Sequence, residues 1–205
     1  LVTAGTLSLS GTGLLTSGSV AILGTQAVLN LGDTAQTVGA FRLADGVVEA
    51  GTLTAASFGL EKGLVSATLN GAATLTKSSS GNVTLSGSSP LFAGSIVLAE
   101  GIVRLERADA LGTSGSFSFA GGTLAYGAGV TLDLSNRLKV GVGNMAFLDV
   151  GTNAVSFASS LSGAGGLWKG GAGLLTLTAA NALTGTILVT AGTLSLSGTG
   201  LLTSG

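Results

Sequence analysis

Short runs in which apolar and hydroxyl residues alternate, each ended by glycine after a few positions, limit this chain more than anything else in it. The stretch Leu161–Leu196 has the pattern in full, with Leu175-Thr176-Leu177-Thr178 and Thr193-Leu194-Ser195-Leu196 set between glycine-rich corners. Side chains alternate across an extended backbone, so a period of two puts Leu on one face and Thr or Ser on the other. Glycine pairs such as Gly165-Gly166 and Gly170-Gly171 are expected to supply positive-φ corners. Helical periodicity of useful length is absent.

The pattern recurs at two scales. Residues 1–18 and 188–205 are the same eighteen letters, LVTAGTLSLSGTGLLTSG, so position 188 restarts the wording of position 1. The expectation is one continuous segment over 1–205, with 1–187 a full unit and 188–205 the start of the next identical one. A weaker duplication lies inside. Leu69-Asn70-Gly71 through Lys77 parallels Leu161-Ser162-Gly163 through Lys169, and Val83-Thr84-Leu85-Ser86 parallels Leu175–Thr178. After a one-residue slip, Gly94–Leu98 parallels Gly185–Val189, and Gly101–Leu105 parallels Gly192–Leu196. Thr113–Phe119 echoes Thr16–Ile22.

Strand candidates begin with Thr6–Leu9, Val20–Leu23, Ala27–Leu31, Thr37–Leu43, Val47–Leu53 and Leu64–Leu69. They continue through Val83–Leu85, Ser95–Leu98, Ile102–Leu105, Ser116–Phe119 and Thr123–Tyr126. Thr131–Leu134, Lys139–Val142, Ala146–Val150 and Val155–Ala158 complete the set. Such short strands close either into a sandwich or into a solenoid. Frequent glycine corners, an uncapped large repeat and the lack of a core-type Trp anchor favour the solenoid. The fold expected is all-β, a parallel β-helix with roughly 20 residues per coil, about nine coils per repeat unit and a length of about 40–45 Å.

Composition excludes several functions. The chain of 205 residues has no Cys and no His, so disulfides, thiolate metal sites and the commonest general base are missing. Eight Lys and Arg against nine acids give a net charge of −1 and no basic patch for nucleic acid. Gly170–Gly205 is uncharged, but its regular Thr, Ser and Gly content does not suit a spanning helix. One Tyr and one Trp cannot build the girdles of a membrane barrel. The chain starts at Leu1-Val2 without a leader and reads as an internal piece of something longer.

At Leu161–Leu196 the residues resemble the autotransporter-associated β-strand repeat, also called the passenger-associated transport repeat. Gly163, Gly165, Gly166, Leu167, Lys169, Gly171, Gly173, Leu175 and Leu177 fit the first part of that pattern. Asn181 and Gly185 fit the second part, and Ala191-Gly192-Thr193-Leu194 the last; Leu183 stands where Tyr is usual. The copy at Ser89–Gly94 departs further, while Phe58–Val65 and Leu148–Gly151 are similar to flanking sequence in such proteins. The resemblance implies a right-handed β-helix in the secreted passenger of a bacterial surface protein, and it brings no catalytic residues.

No catalytic, cofactor or metal residues are assigned. The nine acids are scattered; the nearest pair, Glu106 and Asp109, lies among Arg104 and Arg107 and reads as a solvated charge cluster rather than a glycosidase pair. Asp residues at turns such as Gly32-Asp33-Thr34 are expected to cap local backbone. Trp168 sits beside inward-facing Leu167 and should point outward, which makes it the one candidate for surface contact. Phe117, Phe119, Phe147 and Phe157 are expected in the core, and Lys77 and Lys169 are expected to satisfy carbonyls at matching turns.

The function expected is structural: a segment of a long extracellular stalk or filament on a bacterial cell surface, giving reach and coverage, without enzymatic activity or cofactor. Its partners would be identical units or chains joined end to end. The alternative is an adhesin module whose outward face binds a surface or glycan.

Overall fold

The computed structural model describes residues 1–16, 18–199 and 201–202. Parts of the recurrent 188–205 segment, namely Gly200 and residues 203–205, and Ser17 in the first copy lie outside the described residues. Among the described residues every strand pairing is parallel, and the strands stack as a β-solenoid of about ten turns. A single 3₁₀ turn, Ser135–Arg137, is the helical element among the described residues.

Each coil has three faces, named here in chain order. Face I is a continuous ladder of ten rungs. It starts at Gly5–Ser8, passes through the start of Ala27–Leu43 and of Val47–Leu60, and continues through Gly63–Val65 and the ends of Leu75–Leu85 and Ile96–Leu105. Thr123–Tyr126, Met145–Asp149, Gly166–Gly170 and Ile187–Val189 complete it. Face II includes residues 34–38, 51–55 and Thr68–Asn70, and later Ala154–Phe157, Leu174–Leu177 and Thr193–Leu196. Face III runs from Val20–Ile22 through 41–43, 58–60, 75–77 and 96–98 to Phe117–Phe119 and Leu138–Lys139. Ser162–Gly163, Ala180–Leu183 and Leu201–Leu202 follow on it.

Coil length varies. Val47 lies opposite Leu64, which closes a short coil, whereas Thr123 lies opposite Phe147, which closes a long one. Corners absorb the difference because a loop outside the ladder leaves the pairing intact. Inside, like sits on like. Leu29, Val48, Val65, Leu85, Leu105 and Tyr126 form one buried column on face I. On face III the column is Ile22, Leu43, Leu60, Lys77, Leu98 and Phe119. Each apolar member withdraws a whole side chain from water, about 1.5–3 kcal/mol apiece.

Several expectations need correcting. Thr37–Leu43 is not separate from Ala27–Leu31: both belong to one strand, Ala27–Leu43, which bends around two corners with an irregularity between Asn30 and Thr34. Ser95–Leu98 and Ile102–Leu105 likewise merge into Ile96–Leu105. Thr131–Leu134 forms no strand; Asp133 accepts from the Ser135 amide and leads the chain into the 3₁₀ turn. Three of the four phenylalanines expected in the core, Phe117, Phe119 and Phe157, are there, fully buried. Phe41, Phe58 and Phe92 make successive edge-on contacts at 6.2 and 5.9 Å.

The glycine pairs serve a different end than expected. Of the four named, Gly171 alone has positive φ, at 76°. Gly165 and Gly166 are needed for close approach, since a Cβ on them would strike the Gly141 and Thr186 carbonyls of neighbouring coils.

Candidate functional site

Face I ends, toward the C-terminal coils, in an outward apolar ridge. The alternation in Met145–Asp149 turns Ala146 and Leu148 inward and leaves Met145, Phe147 and Asp149 half-buried outside. Register then sets Phe147 opposite Trp168, and Trp168 opposite Leu188. The Phe147 and Trp168 rings meet at 5.8 Å with a 47° tilt. The indole folds back over Gly170, where any Cβ would collide with it. Trp168 is thus outward, as the alternation of Leu167 and Lys169 requires, and half-buried by its neighbour. Phe147 corrects an expectation: it is not a core residue, because its place in the strand's alternation points it away from the axis. Beside the ridge lies a shallow cleft of about 210 Å³ lined by Gly143, Asn144, Met145, Gly165, Gly166 and Thr186.

Lys77 and Lys169 lie on strands in the core columns, not at turns, and both are fully buried. Each ammonium reaches along the interior to a corner. Lys169 Nζ donates to the carbonyls of Gly170 (3.0 Å), Gly171 (2.6 Å), Gly173 (2.7 Å) and Ala191 (2.9 Å). Lys77 Nζ donates to the Ser79 carbonyl and, at 3.3 Å, to the Ser79 hydroxyl. Burial pulls both below the usual lysine range, opposed at Lys169 by Asp149 and at Lys77 by Glu100 and Glu61. The carbonyl role was legible; the burial was not.

Sequence reasoning missed Arg137. Its guanidinium is buried, donates to the carbonyls of Leu111, Gly112, Ser114 and Gly115, and stands 4.8 Å over the Phe117 ring. Burial lowers its pKa. Those carbonyls belong to the coil below, far upstream in the chain, so no local signal marks them.

The charge cluster resolves into surface ion pairs, Arg104 with Glu106 and Arg107 with Asp109. The Arg107 guanidinium first, and then the Ser88 hydroxyl at 2.5 Å, hold the Asp109 carboxyl down at about 2. Asp45, Asp133 and Asp149 each accept a nearby backbone amide, as expected of turn Asp residues. At Gly32-Asp33-Thr34 the bonding comes instead from Asn30, which accepts the Gly32 amide, and from Thr34, which donates to the Leu31 carbonyl. Among the described residues no group of three or more Asp or Glu is placed to hold a metal ion, and no helix is long and apolar enough to cross a membrane.

The fold and this surface define a parallel β-solenoid with one outward aromatic ridge and buried cationic clamps. No protein-family model, curated protein or solved structure matches the chain.

Proposed function

We propose that the chain is a structural segment of a long secreted stalk or filament on a bacterial cell surface, built from tandem solenoid units that give reach and coverage. The observation that carries this reading is the identical segment at 1–18 and 188–205, placed at the two ends of a parallel solenoid. In such a fold each coil contacts its neighbours alone, so stability adds along the axis and units can be copied without redesign. Among the described residues the end rungs have one neighbour each, and they carry half-open apolar positions: Leu7 is 40% exposed, Val189 41% and Leu196 42%. Their free ladder edges suit pairing with an identical copy. The resemblance of Leu161–Leu196 to the autotransporter passenger repeat supports secretion and a surface location.

Two measurements test this. Electron microscopy of a chain of several units should give stiff rods that lengthen by about 45 Å per unit; flexible beads would overturn it. Antibody against this chain should label the outside of intact cells that make it, and labelling confined to the cytoplasm would overturn the location.

The Phe147–Trp168–Leu188 ridge favours a second reading, an adhesin that stacks sugars or an apolar surface on the rings. Glycan-array binding that is lost in Trp168→Ala would promote it over the stalk.

A further inference from the structure

The two identical segments lie on different faces. In the first copy, Val2 bridges Ile22 on face III, Gly5–Ser8 pairs on face I, and Gly13 donates to Ala35 on face II. In the second, Val189 is on face I, Thr193–Leu196 on face II and Leu201–Leu202 on face III. Each of these described stretches has advanced by one face. The ladder agrees: nine steps separate Gly5–Ser8 from Ile187–Val189, and residues 192–195 lie one corner beyond. The path from Leu1 to its twin Leu188 is therefore nine coils and a third.

The weaker duplication advances by the same amount, and three of its four pairs lie in the body of the solenoid. Leu69 is on face II and Leu161 adjoins face III; Lys77 is on III and Lys169 on I. Residues 83–85 are on face I, and their sisters 175–177 are on II. Residues 102–105 are on I and 193–196 on II. Four ladder steps and one face separate them. The faces accept the same wording because each is an extended strand in which alternate, mostly apolar side chains turn inward.

We propose that copies joined end to end are rotated by one face, about a third of a turn, around the common axis, so that identical surfaces point in three directions and come back into line every third unit. This rests on the reading that copies follow one another. The partner is a second copy of this chain, entered by exchange: residues 188–205 take the place of the next copy's residues 1–18, whose described strands lie one face earlier. With a rise of about 45 Å per unit, the Trp168 ridge recurs in one direction every ~135 Å.

The chain has no Cys, so engineered thiols report register cleanly. Neighbouring parallel strands bring Cα atoms within disulfide reach. Thr176 lies opposite Ser195, and T176C/S195C within one chain should close under a mild oxidant as a control. T6C/V28C should also close, because Thr6 lies opposite Val28 on face I; failure there beside a closed control would overturn the face assignment. Between chains, Leu188 is the twin of Leu1, which adjoins Ala21 in its own coil. A mixture of L188C and A21C chains should form the mixed disulfide. Mixed disulfide between L188C and T6C chains instead would mean stacking without rotation, which overturns the proposal and leaves end-to-end joining intact. Monomers alone in both mixtures at high concentration would overturn the proposal and the joining together. Electron microscopy of multi-unit rods gives a second reading: a surface repeat of about 135 Å supports the rotation, and one of about 45 Å overturns it.

Discussion

Residues 69–105 and 161–196 have related wording, aligned through Leu85 and Leu177 and again after a one-residue slip, yet they are built differently. The first sister rounds two of its corners without leaving the strand: Leu75–Leu85 and Ile96–Leu105 are unbroken, the former with register shifts at Ser78 and Asn82. The second stops at each corner, giving Gly166–Gly170, Leu174–Leu177, Ala180–Leu183, Ile187–Val189 and Thr193–Leu196. The cause is the corner itself. Ser78-Ser79-Ser80 accepts extended backbone, and the Ser79 hydroxyl donates to the Glu61 carbonyl at 2.8 Å on the coil below. Gly170-Gly171-Ala172-Gly173 turns sharply through a left-handed Gly171 and aims its carbonyls inward. Lys169 therefore meets three carbonyls of its corner, and Ala191 of the next coil adds a fourth, where Lys77 meets one carbonyl and one hydroxyl. One lysine signature thus holds two kinds of corner, and the corner decides how tightly.

The largest expected difference is in the core. Phe92 is fully buried edge-on to Phe58, and after the slip its sister position is Leu183. Phe92→Ala should cost about 3–5 kcal/mol and Leu183→Ala about 2–3 kcal/mol. Hydrogen exchange of the adjoining coils measures both locally, which matters because stacked repeats need not unfold in one step. Equal costs would erase this part of the contrast.

Next come the clamps. Lys169→Met removes the cation and strands buried carbonyls, at about 2–4 kcal/mol, whereas Lys77→Met should cost about half of that. A larger loss of protection at Lys77 would break the comparison.

Exchanging corner residues sharpens it. Gly171→Ser installs the first sister's residue at a φ of 76°, where the new Cβ would meet the Asp149 carboxylate and the Gly151 backbone. About 1–2 kcal/mol should be lost, because serine rarely adopts that backbone. The reverse change, Ser79→Gly, should loosen the strand by roughly 0.5–1 kcal/mol. Circular dichroism melting of the two variants tests the order.

The smallest effect is acid sensitivity confined to the first sister. Ser88 donates to Asp109, and its sister position is Ala180. Asp109 titrates at about 2 when folded, against an ordinary 3.8, so the folded state binds fewer protons between those values. Its stabilisation is complete above about pH 4 and is lost as the pH falls through 2. The pair is exposed, so the effect is slight. Exchange protection near Ser88 and Asp109 should weaken over that window and hold steady near Ala180. Asp109→Asn should abolish the difference.

Much of this is legible in the sequence. Alternation in Leu175–Thr178 and Thr193–Leu196 set which side chains turn inward, and it placed Trp168 outside through Leu167. The same rule places Phe147 outside too: alternation with small residues pointed to the core, but its strand neighbours Ala146 and Leu148 hold the inward positions. Arg137 was invisible because its partners are a coil away.

By itself the sequence determined the parallel stack of coils, its coil length of roughly 20 residues and the glycine dependence of its corners, because side-chain alternation and backbone freedom are local properties. The tertiary structure decided which face each repeat occupies, whether a strand runs through its corner and which carbonyls gather around a buried cation. Those outcomes depend on corner lengths summed over coils as short as Val47 to Leu64 and as long as Thr123 to Phe147. A sum of that kind acquires a value only once the coils close and stack.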